Sequence, residues 1–209
     1  MMDPQKTWVP SWLALALSIG AAVGLVLVQK GVDVQSESPS LHHGPMLEAM
    51  AKYYMLSEQH GKAVDAFRRA LINNPRSSTT HMDLGTMLLL SGQGDILAVT
   101  AEYAEAVRLD PGNLPAVNNL AWLKATNANE KVRDPVKALE LAEQAMTQTD
   151  NPGAYRTLAA ALAANGRFEE AVQAAEKGLA KATEAKEASA EDLLREMVAL
   201  FKEKKALSL

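Results

Sequence analysis

From Leu47 onward the chain repeats itself at intervals of about 34 residues, longer in the middle two units. Three stretches end alike: AVDAFRRALINNP (63–75), TAEYAEAVRLDP (100–111) and ALELAEQAMTQTDNP (138–152). Each follows an apolar stretch of helical period, LEAMAKYYML, HMDLGTMLLL and VNNLAWL, and a fourth unit begins at YRTLAAALAANGRFEEAVQAAEKGL (155–179). A period of this size means helical pairs, each too small to bury its own apolar face, stacked so that neighbours complete the core.

Two antiparallel helices that pack closely need small residues where their axes cross and larger ones around the crossing. Aligning the units places Ala51, Gly85, Ala121 and Ala159 at such a site in the first helix of each pair. The second helices carry two sites, first Ala63, Val99, Ala138 and Ala171, then Ala70, Ala106, Ala145 and Gly178. Eleven of these twelve are Ala or Gly, whereas 36 Ala and 12 Gly among 209 residues would supply about three. Large partners fall on schedule at Met50, Leu84, Leu120 and Leu158, and at Leu71, Val107, Met146 and Leu179. Pro75 and Pro111 close second helices, which a proline cannot continue.

This pattern resembles the tetratricopeptide repeat family over roughly residues 44–185. The resemblance implies an all-α fold, a right-handed superhelical stack of about four helical pairs. The pairs fall at about 44–77, 78–113, 114–151 and 152–185, with repeats occupying 46–188 and a capping helix and tail 189–209. Departures affect loops and packing volume. The second unit is longer at GQGDILAV (92–99), and the third at TNANEKVRDP (126–135). The large aromatic of the second helix, Phe67 and Tyr103, becomes Ala142 and Ala175. The string NNLAWL resembles a form common in bacterial repeat proteins, which implies a bacterial source.

The N-terminal thirty residues have a different character. No charged side chain lies between Lys6 and Lys30, and Trp8 to Val28 is 21 residues. As a helix rising ~1.5 Å per residue this spans a hydrocarbon core of ~30 Å. Trp8 and Trp12 fall where amphipathic indoles settle at the interface. A cleaved signal peptide is the rival reading, but its apolar core is shorter and ends at small residues, whereas this run continues through LVLV to Lys30. Residues 1–30 are therefore expected to be a tail and transmembrane helix, meeting the lipid bilayer through residues 8–28. Lys6 and the α-amine face Lys30 across the span, which tips the N-terminus inward and the bulk outward. The expectation is a single-pass protein of a bacterial inner membrane with its soluble part periplasmic. Ala16, Gly20 and Gly24 form one smooth stripe along the span, the kind of surface on which two such helices pack. Residues 31–45, GVDVQSESPSLHHGP, read as a linker.

Composition removes several classes of function. There is no Cys, hence no disulfide framework, thiol nucleophile or Cys-based metal site. Net charge is −4, which argues against nucleic acid. No glycine-rich phosphate loop, HExxH or GxSxG is present. His42 and His43 are adjacent, so they project differently, and no cluster completes a coordination shell around them. His81 sits at a packing position and reads as a satisfied structural histidine. No catalytic residue, metal or cofactor is expected. At the C-terminus, Ser189 and Asp192 resemble a capping box, and Leu193, Leu194, Met197, Val198 and Phe201 share one face of the last helix.

By the family pattern, the first helices line a concave groove that binds a protein or peptide segment. The groove residues implied are Lys52, Met82, Thr86, Asn118, Asn119, Trp122 and Arg156, with Glu48, Met55, Leu89 and Ala160 beside them. Leu89 and Ala160 read equally well as core. The family's carboxylate-gripping type needs paired Lys and Asn on successive first helices, and Met82 and Thr86 do not supply them. The expected function is a membrane-tethered scaffold or adaptor for protein–protein interaction, serving envelope complex assembly. The alternatives are a secreted soluble adaptor after signal cleavage, an accessory factor of cytochrome c maturation, or a self-assembling scaffold that forms a homo-oligomer.

Overall fold

Five helices of this chain start where the sequence supplies a side-chain acceptor for their orphan amides. The computed structural model describes residues 44–208. Among them nine helices follow one another: α1 (Gly44–Leu56), α2 (His60–Asn73), α3 (Ser78–Ser91), α4 (Ile96–Leu109), α5 (Leu114–Thr126), α6 (Pro135–Met146), α7 (Pro152–Ala164), α8 (Phe168–Ala185) and α9 (Ala188–Lys202). The Thr80 N–H donates to Ser77 Oγ, Leu97 to Asp95, Ala116 to Asn113, Lys137 to Asp134 and Ala154 to Asn151. Each such N-cap is worth about 1 kcal/mol over alanine. Pro115, Pro135 and Pro152 sit in first turns, where their missing N–H is not needed. Gly92 ends α3 at φ 64°, a left-handed conformation that glycine adopts without Cβ strain.

The helices pack as the pairs α1–α2, α3–α4, α5–α6 and α7–α8, each pair against the next, with α9 laid on α8. All twelve small sites of the repeat are buried. At Gly85 a Cβ would lie 2.8 Å from a ring carbon of Tyr103, and at Gly178 2.8 Å from Tyr155 Cβ. The helix axes therefore approach more closely there than any side chain permits. Between pairs, Asn113 donates to Ser78 Oγ at 2.8 Å, and the Ser78 hydroxyl donates to the Ala106 carbonyl. Gln144 donates to the Pro111 carbonyl at 2.9 Å.

One second-helix position differs between the two halves of the stack. Phe67 and Tyr103 fill it with buried rings in the first two pairs, while Ala142 and Ala175 occupy it in the last two. Where Tyr103 stands, α3 and α5 barely touch; where Ala142 stands, α5 and α7 pack directly. The Tyr103 ring holds α3 and α5 apart and Ala142 leaves room for α5 and α7 to close, whereas α7 and α9 touch little across Ala175.

The long third-unit connection is pinned rather than loose. Val132 is buried, the Asp134 N–H donates to the Lys124 carbonyl at 2.9 Å, and the side chains of Asn127 and Asn129 accept from Asn129 and Lys131. His81 is held between Glu102 Oε2, 2.6 Å from Nδ1, and the Pro75 carbonyl, 3.2 Å from Nε2. Two sequence expectations shift. The linker read as 31–45 ends earlier, because Gly44 and Pro45 form the first turn of α1, where proline is tolerated and Gly44 is buried beside Asn73. Ser189 does not cap α9, which begins at Ala188 with Glu187 preceding it and no side-chain cap. The apolar segment 8–28 with Ala16, Gly20 and Gly24, the linker up to residue 43, and His42 and His43 lie outside the described residues. Among the described residues no helix is long and apolar enough to cross a membrane.

Gly85→Ala tests the close approach. Alanine is the better helix former by about 1 kcal/mol, yet overpacking against Tyr103 should cost ~1–3 kcal/mol, so the melting temperature should fall. In a Tyr103→Ala background the same substitution should be neutral or stabilising. Equal effects in both backgrounds, followed by circular dichroism, would place the helices farther apart than described.

Candidate peptide-binding groove

Residues four apart on a helix share a face, so 48 and 52, 82 and 86, 118 and 122, and 156 and 160 form matching positions on successive first helices. The structure separates those positions by burial. Lys52 is exposed, and Leu89 is 48% exposed, so it is surface rather than core. Ala160 is buried and belongs to the core. Met82, Thr86, Asn118, Asn119, Trp122 and Arg156 are half-buried, with Met82 and Trp122 packed against the core.

Two clusters result. The first surrounds the Tyr103 hydroxyl, which comes from α4 between α3 and α5. Thr86 Oγ1 lies 3.1 Å from it and also donates to the Met82 carbonyl, and Asn119 bonds the same hydroxyl. Burial raises the Tyr103 phenol above its ordinary value, with those two hydrogen bonds opposing the shift. Beside this cluster, Thr80 Oγ1 donates to Glu48 at 3.2 Å. Asp83 has its carboxyl raised by burial, drawn back by Lys52 and raised further by Glu48.

The second cluster spans α5 and α7. The Arg156 guanidinium stacks over the Trp122 ring, 4.7 Å from its centroid. Burial lowers the Arg156 pKa, and no anion among the described residues offsets it. Its Nε is buried without a hydrogen-bond partner among the described residues, as is Oδ1 of Asn118. Thr157 Oγ1, one residue beyond Arg156, shares that condition. The arrangement presents an aromatic ring with a guanidinium over it on the first-helix face.

Sequence reasoning overlooked Asp83 and the Tyr103 hydroxyl. Asp83 shares its register with Asn119 and Thr157, which was the available signal. That the Tyr103 ring reaches between two first helices depends on its direction in space and had no sequence signal.

No family model matches the chain, and no curated protein matches it in sequence. Solved structures match it in fold. PilW, described as a widely conserved type IV pilus biogenesis factor, aligns with TM-score 0.56 at 13% identity over 78% of this chain and 79% of PilW. MamA from Desulfovibrio magneticus RS-1 aligns with TM-score 0.58 at 12% identity, over 78% of this chain and 95% of the other. The C-terminal part of a TPR repeat-containing protein from Cytophaga hutchinsonii aligns with TM-score 0.56 at 15% identity, over 93% of this chain and 75% of the other. The likeness is one of fold, and it establishes a tetratricopeptide-type helical stack.

Asp83 gives the groove a pH signature. A carboxyl whose pKa is raised by folding holds its proton more tightly in the folded state. Its favourable contribution is complete below the ordinary carboxylate value and is lost as pH rises through the raised one. Asp83→Asn should therefore raise the melting temperature at about pH 7 and leave it unchanged at about pH 3. A variant less stable than wild type at neutral pH would show that the attraction of Lys52 outweighs the burial.

Proposed function

We propose that the chain is a non-catalytic, membrane-tethered adaptor whose first-helix face holds a segment of another protein. The observation that carries this reading is the half-buried Arg156 guanidinium, stacked over Trp122 on the first-helix face with no anion beside it among the described residues. The indole face and the guanidinium together offer apolar contact and hydrogen-bond donors to a polypeptide. Tethering rests on the apolar run of residues 8–28, bounded by Lys6 and Lys30. The fold likeness to PilW, a pilus biogenesis factor, supports a role in assembling an envelope complex of a bacterium.

A photoreactive amino acid at Thr86, on the first-helix face, should yield a discrete adduct with another protein in native membranes. The same residue at Arg68, exposed on α2, should not. Equal labelling from both positions would remove the groove from the reading. The full chain should resist carbonate extraction, and deletion of residues 1–30 should release it; a chain released intact by carbonate would remove the tether.

Trp122→Ala should weaken partner binding by about 2 kcal/mol or more. Because the ring is only half-buried, the fold should lose less than the ~3–5 kcal/mol of a fully buried tryptophan. Thermal melting beside binding separates the two effects. Binding lost only in proportion to unfolded protein would make Trp122 a structural residue.

A further inference from the structure

The second helices change sign along the stack. The exposed side of α2 carries Lys62, Arg68 and Arg69 against Asp65 alone. Each later second helix has the opposite balance: Arg108 against Glu102 and Glu105 in α4, Lys137 against Glu140 and Glu143 in α6, and two lysines against four glutamates in α8. Arg76 adds another exposed cation just beyond α2. None of the five cations of the first pair, these four and Lys52, is in an ion pair among the described residues, whereas nine of the fourteen from Ser78 onward are. Ile72 is 75% exposed in the midst of this charge, three residues from Arg69 and four from Arg68 and Arg76. The helix therefore sets it on the same side as the two α2 arginines. A large apolar side chain among cations is the make-up of a surface that rests at the headgroup–acyl boundary of a bilayer.

We propose that the exposed side of α2 lies on an anionic lipid surface, with Arg68, Arg69 and Arg76 on headgroup phosphates and Ile72 entering between them. This rests on the reading of residues 8–28 as a membrane tether. Charge complementarity alone also suits an acidic protein surface, such as α8 of a second copy. The tether decides for lipid. Fifteen residues separate Val28 from Gly44, a length that reaches about 50 Å at most. A tethered chain thus keeps headgroups within reach of its first pair at high effective concentration, whereas a protein partner must first give up translational freedom. Each cation held near a negatively charged leaflet then favours docking about fivefold. Arginine suits the position, because its apolar stem lies along the boundary while its guanidinium reaches phosphate oxygens. The exposed side of α2 is the side away from α1 and α3, on which α2 packs. Docking there leaves the first-helix face uncovered.

The chain has no cysteine, so one introduced thiol carries one label. An environment-sensitive fluorophore at Asn74→Cys, exposed two residues beyond Ile72, reports on the full chain in nanodiscs whose lipid headgroups bear a nitroxide quencher. A label at Ala180→Cys, exposed on α8, is the reference. The discs are phosphatidylcholine alone, or phosphatidylcholine mixed with phosphatidylglycerol. The Asn74→Cys label should shift to the blue and be quenched in the mixed discs only, and the Ala180→Cys label in neither. Raising salt from about 0.01 M to about 1 M shortens the screening length from ~30 Å to ~3 Å and should release the docked label. Arg68→Gln with Arg69→Gln should lower the docked-to-free ratio about fivefold for each cation removed. Arg68→Lys with Arg69→Lys should keep it, because a lipid surface reads the charge rather than the plane of the fork. Quenching that is equal in both lipids, or absent from chains that co-elute with the mixed discs, overturns the inference and leaves the tether standing. A blue shift without headgroup quenching assigns this side of α2 to a protein, a second copy included, and overturns it as well. Chains that elute apart from phosphatidylcholine discs end the tether reading and this one with it. Should the double glutamine variant unfold, the salt and lipid dependence of the labelled chain with both arginines in place decides in the same way.

Discussion

Everything in the stack depends on how closely two helices can approach. Buried alanine and glycine at the crossings bring backbones near enough that an added Cβ at Gly85 or Gly178 would meet a neighbour at 2.8 Å. Burial of larger residues around those crossings, Val64, Phe67, Met87 and Phe201 among them, then supplies the hydrophobic stabilisation. The order matters. Without small contacts the pairs would splay, and the large side chains would have no common volume to fill.

The same constraint shapes the first-helix face. An aromatic on the second helix of a pair holds successive first helices apart, and the Tyr103 hydroxyl then surfaces between them to bond Thr86 and Asn119. With alanine there instead, α5 and α7 come together, and Arg156 lands on Trp122. A core substitution, Tyr to Ala at equivalent positions, thus changes the chemistry of the surface one layer away. Where α3 meets α5 the groove is hydrogen-bonded and satisfied. Where α5 meets α7 it is cationic and open.

This division explains what could be read from the sequence. The crossings were legible because alanine and glycine recur there at fixed register, with Val99 the one exception. Helix starts were legible wherever Ser, Asp or Asn precedes a proline or an apolar run, as at Asn113, Asp134 and Asn151. Ser189 misled because the backbone N–H groups of α9 begin one residue earlier, behind the turn at Lys186 with φ 59°. Leu89 and Ala160 could not be told apart by register, since exposure at an edge of the face depends on what the neighbouring pair contributes. The contact of Trp122 with Arg156 was out of reach for a similar reason. Register named both residues, but only the closing of α5 on α7 decides that they meet.

The ion pairs show where stability ceased to be the criterion. Arg108–Glu105, Lys137–Glu140, Arg167–Glu170 and Arg195–Asp192 are local pairs on exposed helix surface, formed three residues apart. Such pairs contribute little to the fold, because water already solvates both partners. A chain tuned only to fold would reserve its carboxylates for the guanidinium that water reaches least. Here that guanidinium, Arg156, is left without one, while Arg108, Arg167 and Arg195 have theirs and the exposed Arg68, Arg69 and Arg76 have none among the described residues. Stacking on Trp122 offsets part of the desolvation, since the face of an indole attracts a cation, and it fixes the plane of the fork without occupying its donors. A cation that is oriented, partly dehydrated and unpaired contributes little to the fold.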